Sequence, residues 1–144
     1  MLNSQDQTTL DRYWKDFCNN HDLTLSGEIF ADDFVLYDPL SPDPVQGRET
    51  FVEMVKQLWS AFPDAHYTEE ERVCEGNKVW IRWTMRATHR GLFLGVAATH
   101  KQVVMSGVDM LTLASGRFET LRVEANLLGP ANQLGAVPNL SIGC

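Results

Sequence analysis

Asp109 is the one acidic residue in an otherwise apolar row. Every second position around it is apolar or glycine: Val103, Met105, Gly107, Leu111 and Leu113. Because side chains on a strand alternate between its two faces, this row faces a core or a pocket. A carboxylate there must pair with a cation, reach a wet cavity or take up a proton through a raised pKa. The sequence therefore indicates proton transfer by Asp109, and the alternative is an ion pair with Arg122 that only stabilises the sheet.

Three polar residues occupy alternate positions near the end of the last strand-like segment: Arg122, Glu124 and Asn126. They share parity with Phe118, so they enter the same pocket unless a bulge shifts the register. Arg122 could then stabilise an enolate or alkoxide, and Asn126 could donate its amide hydrogens to a developing oxyanion. In the alternative, the register flips, the residues between them face inward, and the polar row is solvated.

Several large side chains could line a pocket for a planar or polyene substrate, although such residues are usually core: Trp14, Phe51, Met54, Trp83 and Met105. Tyr37 precedes a proline-rich loop over residues 38–44, where the mouth of a pocket often lies, and it could hydrogen-bond a carbonyl. His89 lies near a loop and could act as an acid or base near neutral pH. The other histidines are scattered without metal-ligand spacing, so no metal site is expected.

The composition is that of one folded domain spanning residues 1–144, with loose tails at residues 1–5 and 138–144. Hydrophobic residues make up 44% and charged residues 22% of the chain. The net charge of −7, without a cluster of lysine and arginine, argues against nucleic acid and anionic membranes as partners. No signal peptide or membrane span is evident, which predicts a cytoplasmic protein. The chain has no glycine-rich phosphate loop and no GxSxG motif, so we expect no cofactor.

Apolar residues change from helical to strand spacing along the chain. Helical spacing predicts a first helix over residues 10–17 that ends near Asn20, a short second helix capped by Asp22, and a third over residues 48–62. Strand-like segments cover residues 34–37, 65–74, 78–88, 101–113 and 118–127. This order predicts an α+β fold in which the early helices cover one face of a strongly bent antiparallel sheet.

One strand-like segment predicts an interface. In residues 78–88 an apolar row alternates with a second row that includes Trp80 and Arg82. An amphipathic row of this kind often meets another subunit, so we expect a homodimer through the outer face of the sheet.

Short motifs spread along the chain resemble those of one family. They are Phe62–Asp64, Glu75–Val79, Arg82–Thr84, Thr88–Gly95, Ser106–Asp109, Asn126–Gly129 and Gln133–Gly135. In this order and spacing the chain resembles the SnoaL-like polyketide cyclases. The resemblance implies a cone-shaped α+β barrel of the nuclear-transport-factor-two type, with a deep apolar pocket. It also implies acid/base cyclisation of a small apolar substrate without metal or cofactor.

The chain departs from this family at the usual acid. Aldol-type cyclases of the family use an aspartate near the end of the last strand, and the matching residue here is Asn126, whose amide cannot act as a base. We therefore expect ring closure either by an aldol route with Asp109 as base, or by a cycloaddition that needs positioning and a donor such as Asn126 or Arg122. The alternatives are epoxide opening, epoxide hydrolysis or isomerisation on the same fold, and a non-catalytic module that binds small molecules.

Overall fold

The helices and strands that the sequence predicts follow one another in the expected order, in a computed structural model that describes residues 2–137. The α-helices are α1 Ser4–Arg12, α2 Ser26–Ile29, α3 Arg48–Ala61 and α4 Leu128–Leu134. The strands are β1 Phe30–Tyr37, β2 Val45–Gln46, β3 His66–Glu75, β4 Lys78–Thr88, β5 Gln102–Ala114 and β6 Arg117–Ala125. A single 3₁₀ turn, Leu23–Leu25, precedes α2, and the Asp22 side chain caps it as expected by accepting from the Thr24 amide.

The strands form one curved, unclosed sheet in the order β2-β1-β6-β5-β4-β3. The predicted α+β fold is confirmed. From β3 to β6 the strands form the antiparallel meander that the sequence indicates. However, β1 pairs with β6 in parallel, so the sheet is mixed rather than antiparallel throughout.

The inner face of the sheet is apolar, as the alternation predicts. The inward row of β4 is buried and consists of Val79, Ile81, Trp83, Met85 and Ala87, whereas Trp80 and Arg82 lie exposed on the outer face. A group of mutually packed phenylalanines joins the helices to this sheet, including Phe17, Phe30, Phe34, Phe51 and Phe118. Burial of each such ring contributes about 1.5–3 kcal/mol to folding.

The first helix changes its winding halfway along. After α1 the chain continues as a π-helical segment, Tyr13–Asn19, in which the Asn20 amide donates to the Lys15 carbonyl at 3.2 Å. The wider turn brings Tyr13 and Cys18, five positions apart, onto one buried face. Apolar spacing predicts this helix and its end but not its winding.

The bounds of some elements differ from those predicted. Because Leu2 is buried and α1 begins at Ser4, residues 2–5 do not form the loose tail expected. The first strand begins at Phe30 rather than residue 34, and the last ends at Ala125 rather than residue 127. The apolar pattern of the sequence predicts neither β2 nor α4. The tail predicted at residues 138–144 lies outside the described residues. Within residues 2–137, the helices are too short or too polar to cross a membrane.

A bulge in β6 decides which of its residues face inward. Phe118 pairs with Leu113 of β5 and Thr120 pairs with Thr112, so Glu119 is an extra residue. The inward-facing residues are therefore odd-numbered after Phe118 instead of even-numbered, and Leu121 is buried. The prediction that Arg122, Glu124 and Asn126 enter the pocket is wrong for this reason: all of them are exposed.

Deletion of Glu119 tests this assignment. Without the extra residue, Leu121, Val123 and Ala125 would turn to solvent and the charged residues between them would enter the core. We expect no cooperative thermal unfolding transition by circular dichroism. The control Glu119→Ala keeps the chain length and should change the free energy of unfolding by no more than about 0.5 kcal/mol. A deletion variant that unfolds cooperatively near the wild-type temperature would contradict the assignment.

Candidate active site

The π-helical segment, α3 and the inner face of the sheet surround a cavity of about 440 Å³. Aromatic and aliphatic side chains form most of its wall: Tyr13, Trp14, Phe17, Phe51, Met54, Trp59, Tyr67, Trp83, Met85, Met105, Leu121, Val123 and Ala125. The side chains predicted to line a pocket from the helices and from β4 and β5, Trp14, Phe51, Met54, Trp83 and Met105, are all in this wall. A cavity of this size and lining suits an apolar small molecule.

Asp109 lies in this wall with its carboxylate held at both oxygens. Its side chain is 4% exposed, and it is the only buried acidic residue in the part of the chain that the structure describes. Trp83 Nε1 donates to Oδ1 at 2.8 Å, and the Tyr13 hydroxyl donates to Oδ2 at 2.9 Å. The alternative ion pair with Arg122 is not formed, because Arg122 is on the outer face. Asp109 is therefore buried with two neutral donors instead of a cation.

The surroundings of Asp109 place its titration near neutral pH. Burial raises the pKa of the carboxyl to about 6, and the hydrogen bonds from Trp83 and Tyr13 act in the opposite direction by stabilising the charged form. A group with such a pKa can accept a proton in one step and return it in the next. The geometry thus provides an acid/base group inside an apolar cavity.

Gly107 allows Trp83 to reach Asp109. The two residues pair across β4 and β5, and a Cβ atom at position 107 would lie 2.6 Å from Trp83 Cζ2 and 2.9 Å from the Glu124 carbonyl oxygen. No side chain can occupy this position without displacing the indole ring. The glycine that interrupts the apolar row of β5 therefore makes room for the donor to Oδ1.

Tyr13 is positioned by the π-helical segment. Its ring packs edge-on against Trp14 and Phe118, with centroids 4.9 and 5.2 Å apart. Burial, followed by the nearby Asp109 carboxylate, raises the pKa of Tyr13, so the phenol stays protonated and can only donate to that carboxylate. Cys18 lines the same cavity, and burial likewise raises the pKa of its thiol, which keeps the thiol neutral.

Tyr67 is a second phenol in the wall, from β3. Its oxygen accepts a hydrogen bond from Trp59 Nε1 at 3.2 Å. Burial raises the pKa of Tyr67, so it remains a hydroxyl, and within residues 2–137 its own hydrogen has no acceptor. This hydroxyl is free to donate to a molecule in the cavity.

Two loops and α3 form the mouth of the cavity. Asp38, Pro39 and Leu40 of the proline-rich loop line one side, and residues 92–95 of the β4–β5 loop line the other. Leu92, at 73% exposure, stands at the rim, and the chain turns tightly through Leu94 and Gly95, both with positive φ. The proline-rich loop is therefore at a pocket mouth, as expected.

Tyr37 and His89, both predicted to bind substrate, lie outside the cavity wall. Tyr37 faces the outer side of the sheet, where the Arg122 guanidinium lies 4.3 Å from its ring centroid. His89 is fully buried beside Phe62, and its Nδ1 lies 2.9 Å from the Thr99 hydroxyl. It ties together the two ends of the β4–β5 loop. A buried histidine at the foot of a loop is thus part of the scaffold that supports the mouth.

Asn126, predicted to assist catalysis, is also outside the wall. Its side-chain Oδ1 accepts from the Gly129 amide at 3.0 Å, and its backbone N–H donates to the Ser106 carbonyl at 2.8 Å. Both bonds fix the chain where β6 turns into α4. The exposed side chain is therefore a cap at the end of the strand.

Sequence reasoning missed the phenols of Tyr13 and Tyr67 and the thiol of Cys18. Tyr13 belongs to a helical apolar stripe in which an aromatic residue is usually core. Tyr67 alternates with His66 and Thr68, a strand pattern that places it on the inner face. A search for hydroxyl groups on inward-facing rows would have found both tyrosines.

Comparison with known proteins gives one family and consistent structural neighbours. A family model described as SnoaL-like polyketide cyclase matches residues 8–134. A candidate SnoaL-like polyketide cyclase from Jannaschia sp. CCS1 has a TM-score of 0.85 at 23% identity, with 94% of each chain covered. A candidate polyketide cyclase from Acidithiobacillus ferrooxidans has a TM-score of 0.82 at 25% identity, covering 94% of this chain and 98% of that one.

IdmH, a candidate polyketide cyclase from Streptomyces antibioticus, has a TM-score of 0.78 at 25% identity and covers 91% of this chain and 99% of its own. Among the curated proteins compared, none matches the sequence. These structures share the fold of this chain over nearly its whole length.

The raised pKa of Asp109 predicts how stability changes with pH. Because the folded pKa of about 6 lies above the usual 3.8, the folded state binds this proton more tightly than the unfolded state. The associated stabilisation is complete below the usual value and is lost as the pH rises through 6, an effect of about 3 kcal/mol.

Measurement of the free energy of unfolding by urea for the wild type and Asp109→Asn at pH 4 and pH 7 isolates this effect. The free energy of unfolding of the variant, relative to that of the wild type, should rise by up to about 3 kcal/mol from pH 4 to pH 7. The contributions of the other titrating groups cancel in this difference. A difference that stays constant or falls with rising pH would show that Asp109 does not titrate as proposed.

Proposed function

Since this chain belongs to the SnoaL-like polyketide cyclase family, whose model matches residues 8–134, we propose that it closes a ring in an apolar polyketide-like molecule. The molecule occupies the cavity, and Asp109 carries out the proton transfers. The observation that carries this proposal is a buried carboxylate with a pKa of about 6 in the wall of an apolar cavity. A cavity that served only to bind an apolar ligand would gain nothing from a carboxylate that is costly to bury.

The proposed chemistry is an aldol closure. Ionised Asp109 takes a proton from a carbon next to a carbonyl, which leaves an enolate. The enolate carbon attacks a second carbonyl of the same molecule, so that a carbon–carbon bond closes the ring and an alkoxide forms. Protonated Asp109 then returns its proton to the alkoxide. The proton balance closes on one residue, as a pKa near 6 permits.

Tyr67 is proposed as the donor to the reacting carbonyl. Its hydroxyl lies in the cavity wall and stays protonated, so it can hydrogen-bond the oxygen on which charge develops. Arg122 and Asn126 are exposed outside the cavity and cannot reach this oxygen, so we assign the role to Tyr67. The same exposure removes the Asp109–Arg122 pair on which epoxide opening would depend.

The walls contribute by holding the substrate in a reactive fold. Aromatic and methionine side chains surround a flexible chain and bring its carbonyl groups together, which can supply several kcal/mol of the barrier reduction. A cycloaddition would use this contribution alone. Dependence of the reaction on Asp109 therefore separates the two routes.

Deuterium exchange measures the proposed proton abstraction directly. 1-Arylhexane-1,5-diones, which can close a six-membered ring by an intramolecular aldol reaction, are incubated with the protein in D₂O, and both deuterium uptake and ring closure are followed by mass spectrometry. We expect the enzymatic rate to rise tenfold per pH unit up to about pH 6 and to level off above it, because the ionised carboxylate is the base.

Asp109→Asn should reduce both exchange and ring closure at least about a hundredfold. The control Glu75→Gln, at an exposed end of β3, should match the wild type. Ring closure that proceeds without exchange and survives Asp109→Asn would replace the aldol route by a cycloaddition. Binding with neither exchange nor closure over long incubation would instead indicate a non-catalytic module.

We also propose that a second copy of the chain covers the outer face of the sheet. Val73, Trp80 and Met110 follow one another across β3, β4 and β5 on this face, and Trp80 is 54% exposed. Residues Arg82 and Glu71 form an ion pair beside this row. An apolar centre with a polar rim is the usual composition of a subunit interface.

Light scattering over a range of concentrations tests the dimer. The wild type should have twice the mass of the chain, and Trp80→Glu should have the monomer mass, because two buried like charges would face each other. Ser60→Glu adds the same charge on the exposed side of α3 and should leave the dimer intact. A wild-type monomer at every concentration would overturn the proposal.

A further inference from the structure

A side chain from the π-helical segment holds the backbone of Tyr67. Because β3 is an edge strand, the backbone groups on its outer edge have no neighbouring strand to pair with. Asn19, the last residue of the π-helical segment, pairs with them at Tyr67. Its Nδ2 donates to the Tyr67 carbonyl at 3.0 Å, and its Oδ1 accepts from the Tyr67 backbone N–H at 2.7 Å. These two bonds fix Tyr67 relative to the segment that carries Tyr13.

Trp59 of α3 fixes the other end of Tyr67. Its Nε1 donates to the Tyr67 oxygen at 3.2 Å. Since the indole N–H occupies one lone pair of this oxygen, the phenolic hydrogen must turn away from the indole. A hydroxyl that accepts a hydrogen bond also becomes a stronger donor. Trp59 therefore restricts the direction of the Tyr67 O–H and strengthens its donation.

The indole of Trp59 is itself held firmly. It is buried, and the His21 ring stacks on it with centroids 4.3 Å apart and an angle of 9° between the planes. Nε2 of His21 lies 3.0 Å from the Ala65 carbonyl oxygen, and Phe17 also packs against the indole, at 5.4 Å between centroids. The Trp59 N–H is thus fixed before any ligand enters the cavity.

Tyr67 and Asp109 are both neighbours of one indole ring, that of Trp83. The Trp83 ring packs edge-on against Tyr67 with centroids 5.8 Å apart, and its Nε1 donates to Asp109 Oδ1 at 2.8 Å. An aldol closure needs a base at one carbon and a donor at the oxygen of the adjacent carbonyl. Two groups beside the same ring suit these two adjacent positions.

From these contacts we propose that Asn19 and Trp59 are positioning residues: Asn19 places the Tyr67 ring, and Trp59 directs its hydroxyl hydrogen into the cavity, toward the substrate carbonyl. This inference rests on the proposed function, because it concerns the donor of that reaction. Neither residue touches the reacting atoms, so both act only through Tyr67. If the contacts served packing alone, loss of either residue would have the same effect with and without the Tyr67 hydroxyl.

A double-mutant cycle separates these two cases. Tyr67→Phe should lower kcat for closure of the 1-arylhexane-1,5-diones about a hundredfold. Trp59→Phe should lower kcat about tenfold and change KM by less than about threefold. In the Tyr67→Phe background, Trp59→Phe should lower kcat by less than about twofold, because the hydroxyl on which Trp59 acts is gone.

Asn19→Leu keeps a similar side-chain size without either hydrogen bond. It should also lower kcat about tenfold, and this effect should likewise disappear in the Tyr67→Phe background. The control Trp80→Phe makes the same chemical change as Trp59→Phe at an exposed position on the outer face, and it should leave kcat unchanged. Thermal unfolding by circular dichroism confirms that each variant is folded. If Asn19→Leu does not fold, the Trp59 cycle decides the outcome.

Infrared spectroscopy measures the donor without any reaction. Benzophenone, isotopically labelled at its carbonyl carbon, has no hydrogen on the carbons next to that carbonyl, so it can neither exchange nor close a ring. When it binds to the wild type, its carbonyl stretch should move to lower wavenumber than in hexane. Tyr67→Phe should abolish this shift. Trp59→Phe and Asn19→Leu should reduce the shift and broaden the band, because the hydroxyl then adopts more than one direction.

Two results would each overturn the inference. One is an equal loss of kcat on Trp59→Phe with and without the Tyr67 hydroxyl. The other is a carbonyl band in the Trp59→Phe variant identical to that of the wild type. If neither exchange nor closure is detected but the infrared shifts are as expected, the proposed reaction is refuted, whereas the positioning of Tyr67 by Asn19 and Trp59 is supported.

Discussion

A carboxylate removed from water, with no cation beside it, is the constraint on which the rest of the site depends. Transfer of an ionised acid into an apolar surrounding costs several kcal/mol, and hydrogen bonds from neutral donors recover only part of this cost. For Asp109 the part of this cost that the hydrogen bonds do not recover raises the pKa of the carboxyl to about 6. Its two donors come from elements far apart in the chain, the π-helical segment and β4. Formation of the site therefore requires the helix and the sheet to be packed together.

Much of the fold and part of the site follow from periodicity. The alternation in β4 and β5 predicts which residues face inward because the two-residue repeat of a strand is fixed by backbone geometry, and Asp109 is found where that repeat places it. The two-residue repeat is interrupted in β6, where the apolar positions change from Phe118 to Leu121, Val123 and Ala125 across a bulge at Glu119. The bulge arises from pairing with β5 and β1, which a single segment does not encode. The parallel pairing of β1 with β6 has the same long-range origin.

The residues that sequence reasoning missed depend on how elements pack. Tyr13 occupies a position that any amphipathic helix would bury, and its hydroxyl becomes significant only because the widened turn directs it toward β5. Gly107 is read as a gap in an apolar row, although its function is to leave room for the Trp83 ring. Both residues act through the space that they occupy or leave empty, which becomes evident only when the neighbouring element is in place.

The two faces of β6 contact different compartments. Leu121 and Ala125 face the cavity, whereas Arg122 and Glu124 are exposed on the outer side of the sheet. Substitutions at the odd-numbered positions would change the shape of the cavity, and those at the even-numbered positions would change the charge on the outer face of the sheet. During evolution the shape of the cavity and the charge of the outer face could therefore change independently of each other, although the codons involved are adjacent. Insertion or deletion of one codon in this segment would turn the inward-facing residues outward and the outward-facing residues inward. Variation along this strand is therefore restricted to substitutions.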